Sequence, residues 1–89
     1  MVFYDNDVKK RLGKGHPPKE IAELFNNAFQ SLDLTKDLNL FDIKKLKTHD
    51  DVDYYRLRKG KYRAIFFIKE QDFYIIAISK REEVYKKWL

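Results

Sequence analysis

The chain has 89 residues, no cysteine, and 19 Lys or Arg against 14 Asp or Glu, which gives a net charge of +5. This length supports one domain with a single core, and the lack of cysteine excludes a disulfide scaffold and a thiolate zinc site. The N-terminus carries charge where a signal peptide needs an apolar run, and no stretch has the ~20 apolar residues of a membrane span. We therefore expect a cytoplasmic protein with one domain over residues 1–89.

The first half of the sequence predicts a short strand followed by two helices. Residues 2–4 (VFY) favour a strand, and Asp5 or Asn6 can cap a short helix after it. Within residues 21–32, apolar side chains recur every three or four positions, so they form one stripe of a second helix. We assign this stripe to the core and give it no chemistry. Residues 33–42 mix Leu with polar residues without a period and predict a surface connection.

The second half predicts an antiparallel sheet. Residues 54–58, 62–68 and 73–79 are rich in Tyr, Phe and Ile and are separated by short turns, which is typical of three strands in a meander. The middle strand contains the apolar run AIFFI and should be central, buried on both faces. Residues 80–89 (KREEVYKKWL) predict a turn and a short C-terminal helix. This order indicates an α+β fold with the helices on one face of the sheet.

The positive charge is concentrated in the second half of the chain. Residues 1–50 contain nine basic and eight acidic residues, a net of +1, whereas residues 51–89 contain ten and six, a net of +4. Because side chains alternate along a strand, Arg56 and Arg58 share one face and Leu57 takes the other. If Leu57 faces the helices, both arginines lie on the uncovered face.

Cations beside aromatic rings on an open sheet face suit single-stranded nucleic acid, since cations bind phosphates and rings stack on bases. Solvated charge that protects a hairpin from aggregation explains the same pattern. Arg63 on the middle strand, with Lys80 and Arg81 after the last one, adds cations to the same sheet and favours a basic site. His16 and His49 are a poor zinc set without cysteine, and no Gly-rich nucleotide motif is present. We therefore expect no metal and no cofactor.

Three segments resemble the RelE/ParE superfamily of toxins from bacterial and archaeal toxin–antitoxin pairs. They are KKLK at 44–47, YYRLRKGKYRAIF at 54–66 and ISKREEVYKKW at 78–88. The similarity covers the second half of the chain closely, and the first half only in the order of its elements. It implies a RelE-like α+β fold with a short N-terminal strand, two helices, a three-strand antiparallel meander that completes one sheet, and a short C-terminal helix.

Resemblance to the RelE branch implies a ribosome-dependent endoribonuclease, in which the 2′-hydroxyl of messenger RNA attacks the adjacent phosphorus without a metal. Carried over by motif, the catalytic residues are Arg63, Arg81 and Tyr85. The two arginines would hold the scissile phosphate and its developing charge, and Tyr85 would stack on a base or assist proton transfer. A further set of basic side chains would bind RNA phosphates: Arg56, Arg58, Lys59, Lys61 and Lys80.

The general base of this reaction stays open. RelE-type enzymes often have lysines where this chain has Arg56 and Arg58, and arginine keeps its proton at physiological pH. Each candidate also has a structural explanation as hairpin charge, a loop residue or a packing contact. The candidates are Lys59, Lys61, His49, Tyr85 and the ribosomal RNA.

Two other functions fit the same superfamily. One is a ParE-like toxin that poisons DNA gyrase and cuts no RNA, and the other is an inactive relic that only binds an antitoxin. The combination of Arg63, Arg81 and Tyr85 favours the nuclease, and the arginines at positions 56 and 58 keep the relic open. All three imply a cognate antitoxin of acidic character in a hetero-oligomer. The nuclease adds the ribosome and messenger RNA as partners, and none implies a membrane.

Overall fold

The computed structural model describes residues 1–47 and 51–80. In chain order the elements of this part are β1 (Val2–Tyr4), α1 (Asn6–Gly13), α2 (Lys19–Thr35), a 3-10 turn (Leu38–Leu40), β2 (Ile43–Leu46), β3 (Tyr54–Lys59), β4 (Tyr62–Lys69) and β5 (Asp72–Ser79). The α+β order and the N-terminal strand expected from the sequence are confirmed. The predicted C-terminal helix falls outside the described residues.

The five strands form one sheet in the order β1-β5-β4-β3-β2. β1 runs parallel to β5, and the other neighbouring strands pair antiparallel. β4 occupies the centre, as its apolar run predicted, and is hydrogen-bonded on both edges. Its burial on both faces holds only in part, because Ile65 is buried on the face away from the helices while Arg63 and Phe67 are half-buried there. The edges are the short strands β1 and β2.

Each helix begins and ends at a residue suited to that position. The Asp5 carboxylate caps α1 by accepting a hydrogen bond from the Asp7 amide at 2.9 Å. α2 begins after Pro18, which has no amide hydrogen to leave unsatisfied, and ends at Lys36, whose φ of 57° is left-handed. The apolar stripe of α2 packs on the sheet through Phe25, Ala28, Phe29 and Leu32, as its periodicity predicted. The prediction was wrong for Leu24, which is 49% exposed at the edge of the stripe.

The core lies between the helices and one face of the sheet. Phe29 of α2 meets Phe66 of β4 edge to face with ring centroids 5.2 Å apart, a favoured aromatic geometry. Around this pair lie the other buried side chains of the cluster: Val8, Phe25, Ala28, Leu32, Leu57, Ala64, Phe73, Ile75 and Ile78. The opposite face of the sheet is not covered by either helix, and we call it the outer face.

The structure contains one strand that the sequence did not predict. β2 pairs antiparallel with β3, so that Ile43 lies opposite Leu57 and Lys44 opposite Arg56. Just before β2, the Asp42 carbonyl accepts a hydrogen bond from the Arg58 amide at 3.0 Å. This edge strand therefore extends the outer face beyond the three-strand meander.

The two hairpins of the meander turn in different ways. The β3–β4 turn places Gly60 at a φ of 58°, which glycine adopts without steric cost. The β4–β5 turn instead places Glu70 and Gln71 at φ values of 52° and 71°, which side chains disfavour. Lys36 braces this strained turn, because its Nζ donates to the Gln71 carbonyl at 2.8 Å.

Candidate nucleic-acid interface

The alternation of side chains along β3 and β4 places three arginines on the outer face. Leu57 and Ala64 are fully buried on the helix side, so Arg56, Arg58 and Arg63, which lie one residue away along their strands, point the other way. Two strands therefore present cations on the face that the helices leave open.

These cations lie in two rows that run across the strands, each made of residues directly opposite one another. In the first row, Arg58 lies directly opposite Arg63, which in turn lies opposite Ser79. In the second row, Lys44 lies directly opposite Arg56. We call Lys44, Arg56, Arg58 and Arg63 the basic cluster. Like charges placed directly opposite each other on one face destabilise a sheet, and an anion bound beside them would reduce that cost.

One acidic side chain belongs to the same rows. Asp42 continues the first row beyond Arg58, and its Oδ1 accepts a hydrogen bond from Arg56 Nη2 at 2.7 Å. The Arg56 side chain is 16% exposed and that of Asp42 is 57% exposed, so the carboxylate faces solvent while the guanidinium is largely covered. Sequence analysis missed Asp42, because only the pairing of β2 with β3 brings it beside the arginines.

Arg56 lies beside an apolar residue on the outer face. It is directly opposite Ile65, which is fully buried although it points away from the helices. The aliphatic part of an arginine side chain can pack on such a residue while its guanidinium stays polar. In the neighbouring row, Arg58 is exposed, and its Nε donates a hydrogen bond to the Gly60 carbonyl at 3.3 Å.

The two hairpin lysines lie apart from this cluster. Lys59 shares the strand face of Leu57, and its Nζ stands 4.3 Å from the centre of the Phe41 ring in a cation–π contact. Lys61 is exposed in the turn next to Gly60. The structure does not bring Lys59 to the arginines, and RNA binding by either lysine stays a prediction.

A small pocket continues the basic surface past the end of β5. Lys80 is exposed there and follows Ser79, the last member of the first row. The pocket has a volume of about 250 Å³, and its polar lining includes Arg11, His16 and Lys80. Cations thus extend from the basic cluster across the strand ends to the helices.

Three predicted residues cannot be placed in this geometry. Arg81, Tyr85 and His49 lie outside the described residues. Their proposed parts in phosphate binding, stacking and proton transfer stay predictions.

The other half of the outer face is aromatic. Phe3, Tyr74 and Phe67 lie side by side on β1, β5 and β4, with successive ring centroids 5.1 and 5.0 Å apart and planes within 17° and 9° of parallel. Tyr54 on β3 meets Phe67 edge to face at 6.0 Å. We call these four residues the aromatic row. Their rings pack against one another, which leaves their edges toward solvent.

A β-bulge and nearby acidic residues separate the aromatic row from the basic cluster. Ile65 pairs with Ala77 but the next residue, Phe66, pairs with Ile75, so Ile76 is the extra residue in β5. Pockets beside the aromatic row include Asp51 or Asp5 in their lining. Carboxylates repel phosphates, so this half of the face is less suited to RNA than the basic half.

The described residues form neither a metal-binding cluster nor a membrane-spanning helix. Within residues 1–47 and 51–80, no three His, Asp or Glu side chains come close enough together to hold a metal ion. In the same part of the chain, no helix is long and apolar enough to cross a membrane.

Solved structures include close likenesses of this fold. The chain superimposes with a TM-score of 0.75 on a structure of the RelB–RelE antitoxin–toxin complex from Methanococcus jannaschii, at 25% identity over 99% of this chain and 100% of that one. It superimposes with a TM-score of 0.72 on an archaeal RelE–RelB complex from Pyrococcus horikoshii OT3, at 27% identity over 92% and 94% of the two chains. No protein-family model and no curated protein matches the sequence. The fold is RelE-like, as the resemblance of the C-terminal segments implied.

Proposed function

We propose that this chain is the toxin of a toxin–antitoxin pair and acts as a ribosome-dependent endoribonuclease that cuts messenger RNA. The RelE-like fold supports the class of protein. The observation that supports the activity is the placement of Arg58 directly opposite Arg63 on the sheet face that α1 and α2 do not cover. Two guanidiniums on neighbouring strands can bind one phosphate through paired N–H donors.

The proposed reaction needs charge stabilisation more than a metal. The 2′-hydroxyl oxygen attacks the adjacent phosphorus, and the bond to the 5′-oxygen breaks, leaving a 2′,3′-cyclic phosphate and a 5′-hydroxyl. Negative charge grows on the non-bridging oxygens during this step, and fixed guanidiniums stabilise it without reorganising. Arg63 has this role in the proposal, and Arg81 and Tyr85 join it on the strength of their motif alone.

The basic surface gives the RNA a path as well as a binding point. From Arg58 and Arg63 it continues through Ser79 to Lys80 and the pocket beside His16. Neighbouring phosphates of a single strand would lie along this line, since backbone charge supplies most of the affinity of a nucleic acid for a protein.

A cognate antitoxin is the second part of the proposal. Both structural neighbours are complexes of a RelE protein with RelB. On this chain the aromatic row offers apolar edges to a partner. Phe3 in the row is 39% exposed, and Val52, which lines a pocket with Phe67 and Tyr74 of the row, is 41% exposed. A partner segment that covers this row with apolar side chains and reaches the basic cluster with acidic ones would block the RNA path.

The proposal is tested by inducing the wild-type chain in cells and mapping message ends by primer extension. The reporter is an abundant message with and without its start codon. We expect growth arrest and new cuts that appear only in the translated message. Cleavage that ignores the start codon would contradict ribosome dependence.

The same culture distinguishes the rival functions. Growth arrest without cleavage, together with loss of DNA supercoiling, would identify a gyrase-directed toxin in place of a nuclease. Normal growth at a verified protein level would support a relic that binds only an antitoxin.

A further inference from the structure

We propose that Asp42 is the general base of the cleavage reaction and takes the proton from the attacking 2′-hydroxyl. This inference rests on the proposed nuclease function. It assigns the one role that the sequence left open, and it assigns it to a residue outside every motif of the C-terminal half.

The position of Asp42 is fixed on two sides. Its carbonyl accepts from the Arg58 amide at 3.0 Å, which fastens the start of β2 to β3. Its side chain accepts from Arg56 Nη2 at 2.7 Å. A base held by both backbone and side chain needs little reorganisation to reach a substrate proton. The 57% exposure of its side chain leaves the carboxylate accessible to an RNA on the outer face.

Asp42 also lies next to the proposed phosphate site in the order of the strands. Neighbouring strands are about 5 Å apart, so Asp42, which directly precedes β2, is one strand from Arg58 and two from Arg63. In the proposal, a phosphate bound at these arginines brings the adjacent 2′-hydroxyl toward the strand that Asp42 begins. The carboxylate keeps capacity for this contact, because it offers about four lone-pair positions and Arg56 takes one of them at Oδ1.

The other members of the two rows are poor proton acceptors. Arg56, Arg58 and Arg63 stay protonated at any physiological pH and have no acceptor atom. Ser79, Ala77 and Ile65 bring no base that works near neutral pH. Among the described residues of these two rows, Asp42 is thus the one carboxylate, and the cations beside it would also stabilise the charge of a bound phosphate.

The proposed reaction needs no co-reactant other than water. The O–H bond of the 2′-hydroxyl breaks and its proton moves to the Asp42 carboxylate, while the 2′-oxygen forms a bond to phosphorus. The bond from phosphorus to the 5′-oxygen then breaks, and that oxygen takes a proton from water. Asp42 returns its proton to the resulting hydroxide, which restores the carboxylate for the next turnover.

The test compares Asp42→Asn with wild type in two assays on purified protein. Asn keeps the Oδ1 acceptor for Arg56 but cannot take a proton, so the fold should be preserved. Cleavage of a message on programmed ribosomes should fall by about 10²–10⁴-fold under single-turnover conditions. Binding to the same ribosomes, carrying a message with 2′-O-methyl riboses, should be unchanged or tighter, since one negative charge has been removed from the RNA path.

Asp53→Asn is the matched control. Asp53 is also an exposed aspartate beside a cation, with its Oδ1 3.4 Å from Lys45 Nζ, and it lies outside the two rows. This substitution changes the net charge by the same amount and should leave cleavage within about twofold of wild type, the scatter expected of a surface change.

A second variant and a pH profile separate a base from a residue that only holds Arg56. Asp42→Glu retains a carboxylate and should recover a measurable part of the lost rate. The cleavage rate of wild type should fall on the acidic side, and this limb should disappear in Asp42→Asn. The charged groups facing Asp42 are Lys44 on its own strand, Arg56 and Arg58 on β3, and Arg63 beyond them, all of which stay protonated as the pH is lowered.

The outcomes are distinct. If wild type cleaves and Asp42→Asn cleaves equally well or faster, Asp42 is at most a counter-charge and the inference is wrong. If Asp42→Asn loses binding together with cleavage, or keeps the acidic limb, Asp42 positions Arg56 and is not the base. If wild type itself does not cleave, the proposed nuclease function is wrong, and the role of Asp42 that depends on it is wrong as well.

Discussion

The two halves of the outer face differ in how their side chains interact across the strands. In the aromatic half, Phe3, Tyr74 and Phe67 stack on one another and stabilise the face without any partner. In the basic half, two arginines, Arg58 and Arg63, are placed directly opposite each other. A bulge in β5 lies between the two halves. Apolar rings that stack on one another stabilise a sheet, whereas like charges placed opposite each other do not, so the basic half is the better candidate for a binding surface.

This difference makes the two halves separable by mutation. Changes at Arg58 or Arg63 in the basic half should lower activity more than stability. Changes in the aromatic half should damage stability and spare RNA cleavage.

The largest effect is expected from Arg63→Gln, which should lower message cleavage on programmed ribosomes by about 10²–10³-fold, the usual cost of removing one donor to a charged transition state. Its free energy of unfolding in urea should stay within about 1 kcal/mol of wild type, because the repulsion from Arg58 is removed at the same time. Lys69→Gln is the control, since Lys69 is on the same strand and the same face but at the aromatic end, and it should cleave as wild type does. Equal loss in both variants would mean that net charge, and not position, governs activity.

Phe67→Ala tests the aromatic half. It removes a half-buried ring that contacts Tyr74 at 5.0 Å and Tyr54 at 6.0 Å, so we expect a loss of about 2 kcal/mol in urea unfolding. Cleavage per folded molecule should be unchanged. A variant of wild-type stability that has lost cleavage would show that RNA uses the aromatic row, and the division of the face would be wrong.

The two hairpin turns, one at each end of the outer face, differ in backbone strain. Replacing Glu70 and Gln71 by Asn and Gly should raise the free energy of unfolding by about 1 kcal/mol, because Asn-Gly adopts positive φ readily. Gln71 is bound by Lys36 through its carbonyl, which Gly retains. The matched change Gly60→Ala at the other turn should destabilise the protein, since φ there is 58°. Thermal and urea unfolding measure both, and no gain from Asn-Gly would mean that the Glu70–Gln71 turn is relaxed.

The smallest effect concerns salt. Removing one phosphate contact by Arg58→Gln should reduce the slope of log affinity against log salt by about 0.7 for a single-stranded RNA oligonucleotide. Between 50 and 200 mM salt, the loss of RNA affinity should therefore be about threefold smaller for the variant than for wild type. Phe67→Ala should leave the slope unchanged, as measured by fluorescence anisotropy. A slope that Arg58→Gln does not alter would place the phosphates elsewhere.

Local sequence patterns were sufficient for much of the fold. The stripe of α2 and the apolar run of β4 are long and strongly periodic, and each forms the element that its period indicates. Strand β2 was missed, because its sequence IKKL is short and two of its four residues are lysine. These residues form a strand because they pair with the edge of β3, and this non-local pairing cannot be predicted from the local sequence.

The candidate site could be predicted only where the local alternation of side chains along a strand determines it. Alternation around Leu57 placed Arg56 and Arg58 on the outer face, and the same rule applied one residue further would have placed Lys59 on the other side, over Phe41. Asp42 and the aromatic row could not be found this way. Asp42 depends on the register of β2, and the alignment of Phe3 with Tyr74 depends on a parallel pairing between strands 70 residues apart.

The chemistry of the cut ends is the best single test of the proposed nuclease activity. Purified wild-type protein is mixed with a labelled message, with and without programmed ribosomes, and the fragments are analysed for their termini. We expect fragments only with ribosomes, each upstream piece ending in a 2′,3′-cyclic phosphate and each downstream piece beginning with a 5′-hydroxyl. An intact message, or fragments that begin with a 5′-phosphate, would contradict it.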